Sequence, residues 1–133
     1  MIKRVQVVAG IIFNTMRTEV LVALRKPEQH QGDRWEFPGG KLELGESIET
    51  GLARELLEEV GIDVISSETR ATIEHNYTDK QVCLHFRDVT QFSGLPAGRE
   101  GQQLRWVALV DLNKLRFPEA NQAIVDALLI ESN

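Results

Sequence analysis

The sequence predicts an α+β sandwich in which a mixed β-sheet lies between helices, and three observations carry that expectation. Strand-like and helix-like segments interleave without the regular βαβ rhythm of a doubly wound parallel sheet. The first long apolar run, Val5 to Phe13, is too continuous for a strand with one wet face and reads as buried on both. Two further segments, about Glu46 to Val60 and Glu119 to Ile130, repeat apolar residues at helical spacing. A chain of 133 residues, 42% hydrophobic and 26% charged, suits one domain over residues 1–133 with a single core.

The elements follow in order. After the first strand, Asn14 to Thr18 supply a turn, and Glu19 to Leu24 is expected to pair back on the first strand as a hairpin. Lys26 to Asp33 is polar, holds Pro27 and Gly32, and reads as a loop. Trp35 to Phe37 is a short extended piece ended by Pro38, Gly39 and Gly40. In the main helix Ile48, Leu52, Leu56 and Val60 recur every four positions, and Gly61 stops it as a C-terminal cap. Arg70 to Tyr77 and Gln81 to Phe92 read as strands separated by a turn at Asp79 and Lys80. Gln102 to Val110 is a further strand, and Pro118 precedes the C-terminal helix.

Composition excludes several classes of function. A net charge of −5 disfavours a nucleic-acid footprint, which needs a basic stripe to displace counterions from phosphates. It leaves room for a small anionic ligand if a metal ion supplies positive charge. Cys83 is the single cysteine, so no intrachain disulfide can form and a reducing cytoplasm is the expected compartment. Lys3 and Arg4 ahead of an apolar run suggest a signal peptide, but Gln6 interrupts the run and no cleavage site follows. No stretch approaches the roughly 20 apolar residues of a membrane span.

The most informative segment is Arg54-Glu55-Leu56-Leu57-Glu58-Glu59. On a helix Glu55, Glu58 and Glu59 share one face, at the spacings that bring side chains together. They repel one another, they lie toward the end of the helix where the macrodipole disfavours negative charge, and no lysine is within a turn. A solvated acidic face is the plain reading of three such residues. A hard divalent cation is the chemical one, since it prefers carboxylate oxygens and reverses the sign of the repulsion.

The wider pattern favours the second reading. Gly40, five residues, Glu46, seven residues, then Arg54, Glu55, Leu56, any residue, Glu58, Glu59, any residue, Gly61 and Ile62 resembles the complete signature of the Nudix hydrolases. The resemblance implies a Nudix-type α/β/α sandwich and a Mg²⁺-dependent hydrolase of nucleoside diphosphate linkages, with Mn²⁺ able to substitute. It implies that Glu58 and Glu59 ligate the metal, and that Glu55 ligates it or deprotonates the attacking water. Gly39 would offer a backbone carbonyl to the cation, and Arg54 would orient the glutamates. Glu46 would close the loop against the helix, although an acidic residue at a helix start is also favoured by the dipole alone.

Beyond the box, Trp35 to Lys41, Gly98 to Gln102 and Phe117 to Asn121 resemble the MutT-like branch of that family, which sanitises oxidised guanine nucleotides. That likeness implies Glu100 as a further metal ligand or base and Asn121 as the reader of the purine edge. Arg25, His30, Phe37, Asp79 and Lys80 match nucleotide-pocket positions. The implied reaction converts 8-oxo-dGTP to the monophosphate and pyrophosphate, by a monomer acting on a free nucleotide with no nucleic acid or membrane partner. Lys80 stands where a MutT-like enzyme carries arginine, and lysine lacks a planar two-point contact. Alternatives are an enzyme for an oxidised cytidine or pterin triphosphate, a silent module that recognises a damaged base in DNA, and a protein-binding scaffold.

Overall fold

A computed structural model describes residues 3–29 and 32–132. Strand β1 (Lys3–Ile12) is the centre of the molecule. It pairs antiparallel with β4 (Gly39–Lys41) on one edge and parallel with β6 (Lys80–Ser93) along its whole length on the other. The β5 strand (Asp63–Asn76) completes a mixed sheet of order β4-β1-β6-β5. A second, antiparallel sheet has the order β3-β2-β7, formed by Trp35–Glu36, Glu19–Leu24 and Leu104–Ala108.

Strand β1 is buried on both faces, and its alternation divides the core. Val8 and Ile12 join Leu52, Leu56 and Val60 of helix α1 (Ile48–Val60). Ala9 and Ile11 point the other way, into a cluster with Ile124, Val125 and Leu128 of α2 (Gln122–Glu131). Leu52, Leu56 and Val60 are wholly buried, and each contributes roughly 1.5–3 kcal/mol by leaving water. Ser47 caps α1, accepting the Thr50 N–H at 3.1 Å, and Gly61 ends it in the left-handed region at φ 72°.

Several elements differ from their expected form. β1 and β2 do not form one hairpin sheet: beyond a single bridge between Phe13 and Val20 they part, because both edges of β1 are taken by β4 and β6. The glycines after Phe37 are not merely a turn, since Gly39 to Lys41 pair with Val7 to Ala9. β5 begins at Asp63, seven residues before the expected Arg70, because the long β6 offers it a partner from Ser93 back to Gln81. β7 is shorter than expected, and Leu109–Lys114 turn into a 3₁₀ helix. Glu119–Asn121 likewise form a 3₁₀ turn ahead of α2.

Candidate active site

The carboxylate face of α1 meets strand β4. Gly39 donates its backbone N–H to Glu59 Oε2 at 3.1 Å. A β-carbon on Gly39 would stand 2.0 Å from the Val8 carbonyl oxygen, and one on Gly40 would stand 2.4 Å from Glu55 Oε2. The strand can therefore pass this close to β1 and α1 only without side chains at these positions.

Neighbouring glutamates on the helix have very different surroundings. Glu59 is buried, at 7% exposure, whereas the Glu58 side chain is 56% exposed. Burial pushes the Glu59 carboxyl up to about 8, with the charges of Glu36, Glu100 and Glu55 adding to the shift and the Gly39 N–H opposing it. Burial also raises Glu55, against the pull of Arg54.

Arg54 ties the group together. Its Nε and Nη2 donate to the two oxygens of Glu46 at 2.7 and 2.9 Å, while Nη1 reaches Glu55 at 3.0 Å and Glu58 at 3.3 Å. Nη2 also donates to the Lys41 carbonyl at 3.1 Å. Glu46 in turn accepts the Glu43 N–H at 2.9 Å, so its carboxylate joins the loop to the helix. The Arg54 hydrogen bond, with that backbone bond, holds the Glu46 carboxyl down at about 2.

Glu100 arrives on the loop after β6. The Arg99 N–H donates to the Glu59 carbonyl at 3.0 Å, and Gln102 uses both ends of its amide, donating to the same carbonyl and accepting the Glu100 N–H. Glu36, Glu59 and Glu100 line one small cavity of about 100 Å³ with Gln102 and Lys26. Glu36 is also paired with Arg25.

The donor set fits a hard divalent cation. It offers carboxylate oxygens, and Glu59 is a buried carboxylate whose one hydrogen bond among the described residues is a backbone N–H. Among the described residues no three His, Cys, Asp or Glu side chains already stand close enough together to enclose an ion. Arg54 draws Glu55 and Glu58 to itself. Holding an ion between Glu55, Glu59 and Glu100 calls for side-chain rotation, which the exposed Glu100 has room for.

A cleft of about 320 Å³ adjoins this group, within the size range of small-molecule sites. Its floor is aliphatic, from Val5 and Val7 of β1 and Val82 and Leu84 of β6; Gly39 to Lys41 form one side. Of the expected pocket residues, Arg25, Phe37, Lys80 and Asn121 line it. Asp79 does not: it is exposed in the β5–β6 turn. His30 lies outside the described residues.

Asn121 is 9% exposed and makes no capping bond to α2. No hydrogen bond engages its amide among the described residues, so both donor and acceptor remain for a ligand. Glu36, Tyr77 and Gln102 are site residues that sequence reasoning did not single out. The available signals were the place of Glu36 inside the phrase Trp35 to Lys41, and the position of the lone tyrosine beside a turn.

Comparison with known proteins shows the family. The model of the NUDIX domain matches residues 8–127. The 8-oxo-dGTP diphosphatase of Escherichia coli K12 is 38% identical over 126 residues, covering 95% of this chain and 97% of that protein. The CTP pyrophosphohydrolase of the same strain is 32% identical over 127 residues, covering 96% and 93%. A solved MutT structure, from work on Aliivibrio salmonicida and Vibrio cholerae, superposes with a TM-score of 0.86 at 43% identity, covering 97% of this chain and 99% of that one. With the signature complete and the match running from β1 into α2, the chain belongs to the NUDIX domain family.

Proposed function

We propose that the protein hydrolyses 8-oxo-dGTP to the monophosphate and pyrophosphate, removing an oxidised nucleotide from the cytoplasmic pool before it is incorporated into DNA. The observation that carries this reading is the unengaged Asn121 amide at the wall of a cleft that shares Gly39 and Gly40 with the glutamate cluster. The 38% identity to an 8-oxo-dGTP diphosphatase over nearly the whole chain supports it.

Oxidation at C8 turns guanine N7 from an acceptor into an N–H donor. A backbone acceptor beside the cleft, for which Phe37 is the candidate, bonds the oxidised base and repels the lone pair of the normal one. The Asn121 amide supplies the donor and acceptor that suit the remaining purine edge. A buried polar group left unpaired by the wrong base is a strong source of selectivity.

Glu55, Glu58, Glu59, Glu100 and the backbone of Gly39 are the groups proposed to hold Mg²⁺ or Mn²⁺. The bound metal supplies the positive charge that lets a nucleophile approach a polyanionic diphosphate, and it acidifies water. Glu55, on the same helix face, either ligates the metal or accepts the proton of the attacking water. Arg54 holds Glu55 in place and, through Glu46, locks the loop that carries Gly40. Arg25 and Lys80 bring positive charge to the cleft that receives an anionic substrate.

A second reading, hydrolysis of a cytidine nucleotide, is favoured by the 32% identity to a CTP pyrophosphohydrolase over nearly the whole chain. The test is kcat/KM for 8-oxo-dGTP, dGTP and CTP with analysis of products. Preference for 8-oxo-dGTP with release of pyrophosphate is expected. Preference for CTP, or release of orthophosphate, overturns the proposal.

A further inference from the structure

The edge of a nucleobase is met by the polar groups described above, but its flat faces need cover. The cleft floor is aliphatic. Phe37, one of two aromatic rings among the described lining residues, is 3% exposed and already stacked on Phe117 with centroids 5.3 Å apart. It also meets Phe86 edge to face at 6.4 Å, so its ring is committed to the core. The other ring is Tyr77.

Tyr77 follows β5 directly, at the side of the sheet away from β4, so across the floor it faces the wall made by Gly39 to Lys41. Its N–H donates to the Lys80 carbonyl at 2.8 Å, closing a tight turn that fixes where the side chain leaves the backbone. The His75 ring meets it at 67° with centroids 4.7 Å apart, and the Lys80 ammonium lies 5.7 Å from its centroid. Burial raises the Tyr77 hydroxyl, with Arg25 opposing and Glu119 adding to the shift. A half-buried ring held by a turn, an edge-on neighbour and a cation loses little freedom when a base packs on it.

We propose that the Tyr77 ring packs on the nucleobase and supplies binding, not chemistry. The inference rests on the nucleotide-hydrolase reading above. Stacking of a base on an aromatic side chain is tolerant of sequence, and truncating such a ring weakens binding by about tenfold or more. Lys80 then serves partly as a partner of this ring.

The experiment compares the parent with Tyr77→Ala, Tyr77→Leu and Tyr77→Phe. Calorimetric titration with 8-oxo-dGMP, dGMP and CMP gives Kd, and hydrolysis of the triphosphates gives KM and kcat. Tyr77→Ala and Tyr77→Leu are expected to raise Kd and KM about tenfold with kcat within about threefold of the parent, and Tyr77→Phe to stay within about threefold throughout. Thermal melts of all four report whether each variant is folded at the assay temperature, and the Phe variant tests the ring even if the Ala variant is not. An unchanged Kd in Tyr77→Ala overturns the proposal, as does rescue by leucine as complete as by phenylalanine, or a fall in kcat at constant KM. A parent that binds and hydrolyses none of these nucleotides overturns the nucleotide reading, and this inference with it. A parent that binds while the alanine variant matches it overturns this inference alone.

Discussion

Gly39 and Glu59 are twenty residues apart in sequence and joined by one hydrogen bond, the Gly39 N–H to Glu59 Oε2 at 3.1 Å. That contact places a buried carboxylate against a strand that no larger residue could form at this distance. It links the helix bearing the glutamates to the sheet that floors the cleft.

Glu59→Gln removes a charge and almost no volume. Turnover in Mg²⁺ is expected to fall by at least ~10²-fold with the circular dichroism spectrum unchanged. Near-parental turnover would sink the assignment of Glu59 to the metal.

The same residue sets a pH dependence in the metal-free protein. A carboxyl whose folded-state value is about 8 against an ordinary 4.5 binds its proton more tightly when folded. Its contribution is fully present below 4.5 and is lost as pH rises to about 8. In chelator, the Tm of the parent relative to Glu59→Gln should therefore drop between pH 5 and pH 8. A constant difference across that window would show that Glu59 does not carry the shift.

The two glycines of β4 should separate stability from activity. A methyl on Gly39 strikes the backbone of β1, so Gly39→Ala is expected to lower Tm by several degrees, an overpacking cost of about 1–3 kcal/mol. A methyl on Gly40 strikes only the carboxyl end of the Glu55 side chain, so Gly40→Ala is expected to keep most of its Tm and lose kcat by about tenfold or more. Equal effects of the two on melting and on kcat would contradict this division.

Asn121→Ala tests the substrate. If the amide reads the oxidised purine, the ratio of kcat/KM for 8-oxo-dGTP over dGTP should fall by ~10 to 10³-fold, from one or two contacts of about 1–3 kcal/mol. Metal-dependent hydrolysis should survive. The structure removes the simplest rival role, since Asn121 makes no capping bond to its helix. Equal loss on both nucleotides would assign the residue to general binding.

Arg70 sits at a register shift in β5, between Thr69 and Ala71, and forks to Asp88 at 2.6 and 3.1 Å and to Glu131 of α2 at 2.7 and 2.9 Å. Arg70→Met leaves the mostly buried Asp88 with Arg17 at 3.9 Å as its nearest cation, and about 2 kcal/mol of stability should be lost in urea titration. The Arg70 hydrogen bond lowers Glu131 below the usual carboxylate value, so that contribution is present above this value and disappears as pH falls through the lowered one. The difference between parent and variant should narrow in acid. A difference that widens in acid would rule the ion pair out as its source.

What the sequence by itself determined is mainly local. The four-residue repeat from Ile48 to Val60, the stop at Gly61 and the glutamate face of α1 are all written in side-chain order, because a helix satisfies its own backbone and its period alone decides what faces the core. The two-sided burial of β1 was equally legible from its unbroken apolar run. Tertiary structure decided what depends on distant partners. A strand takes its hydrogen bonds from elsewhere, so the parting of β1 from β2 and the early start of β5 follow from what β4 and β6 offer, and no local pattern records it. Glu58 and Glu59 are adjacent and chemically identical, yet the approach of β4 buries one and Arg54 holds the other at the surface. Asp79 and Tyr77 share one turn, and the direction in which that turn leaves β5 brings the aromatic ring to the cleft and leaves the carboxylate in water. Burial and strand pairing are properties of the assembled chain, and they separate side chains that the sequence sets side by side.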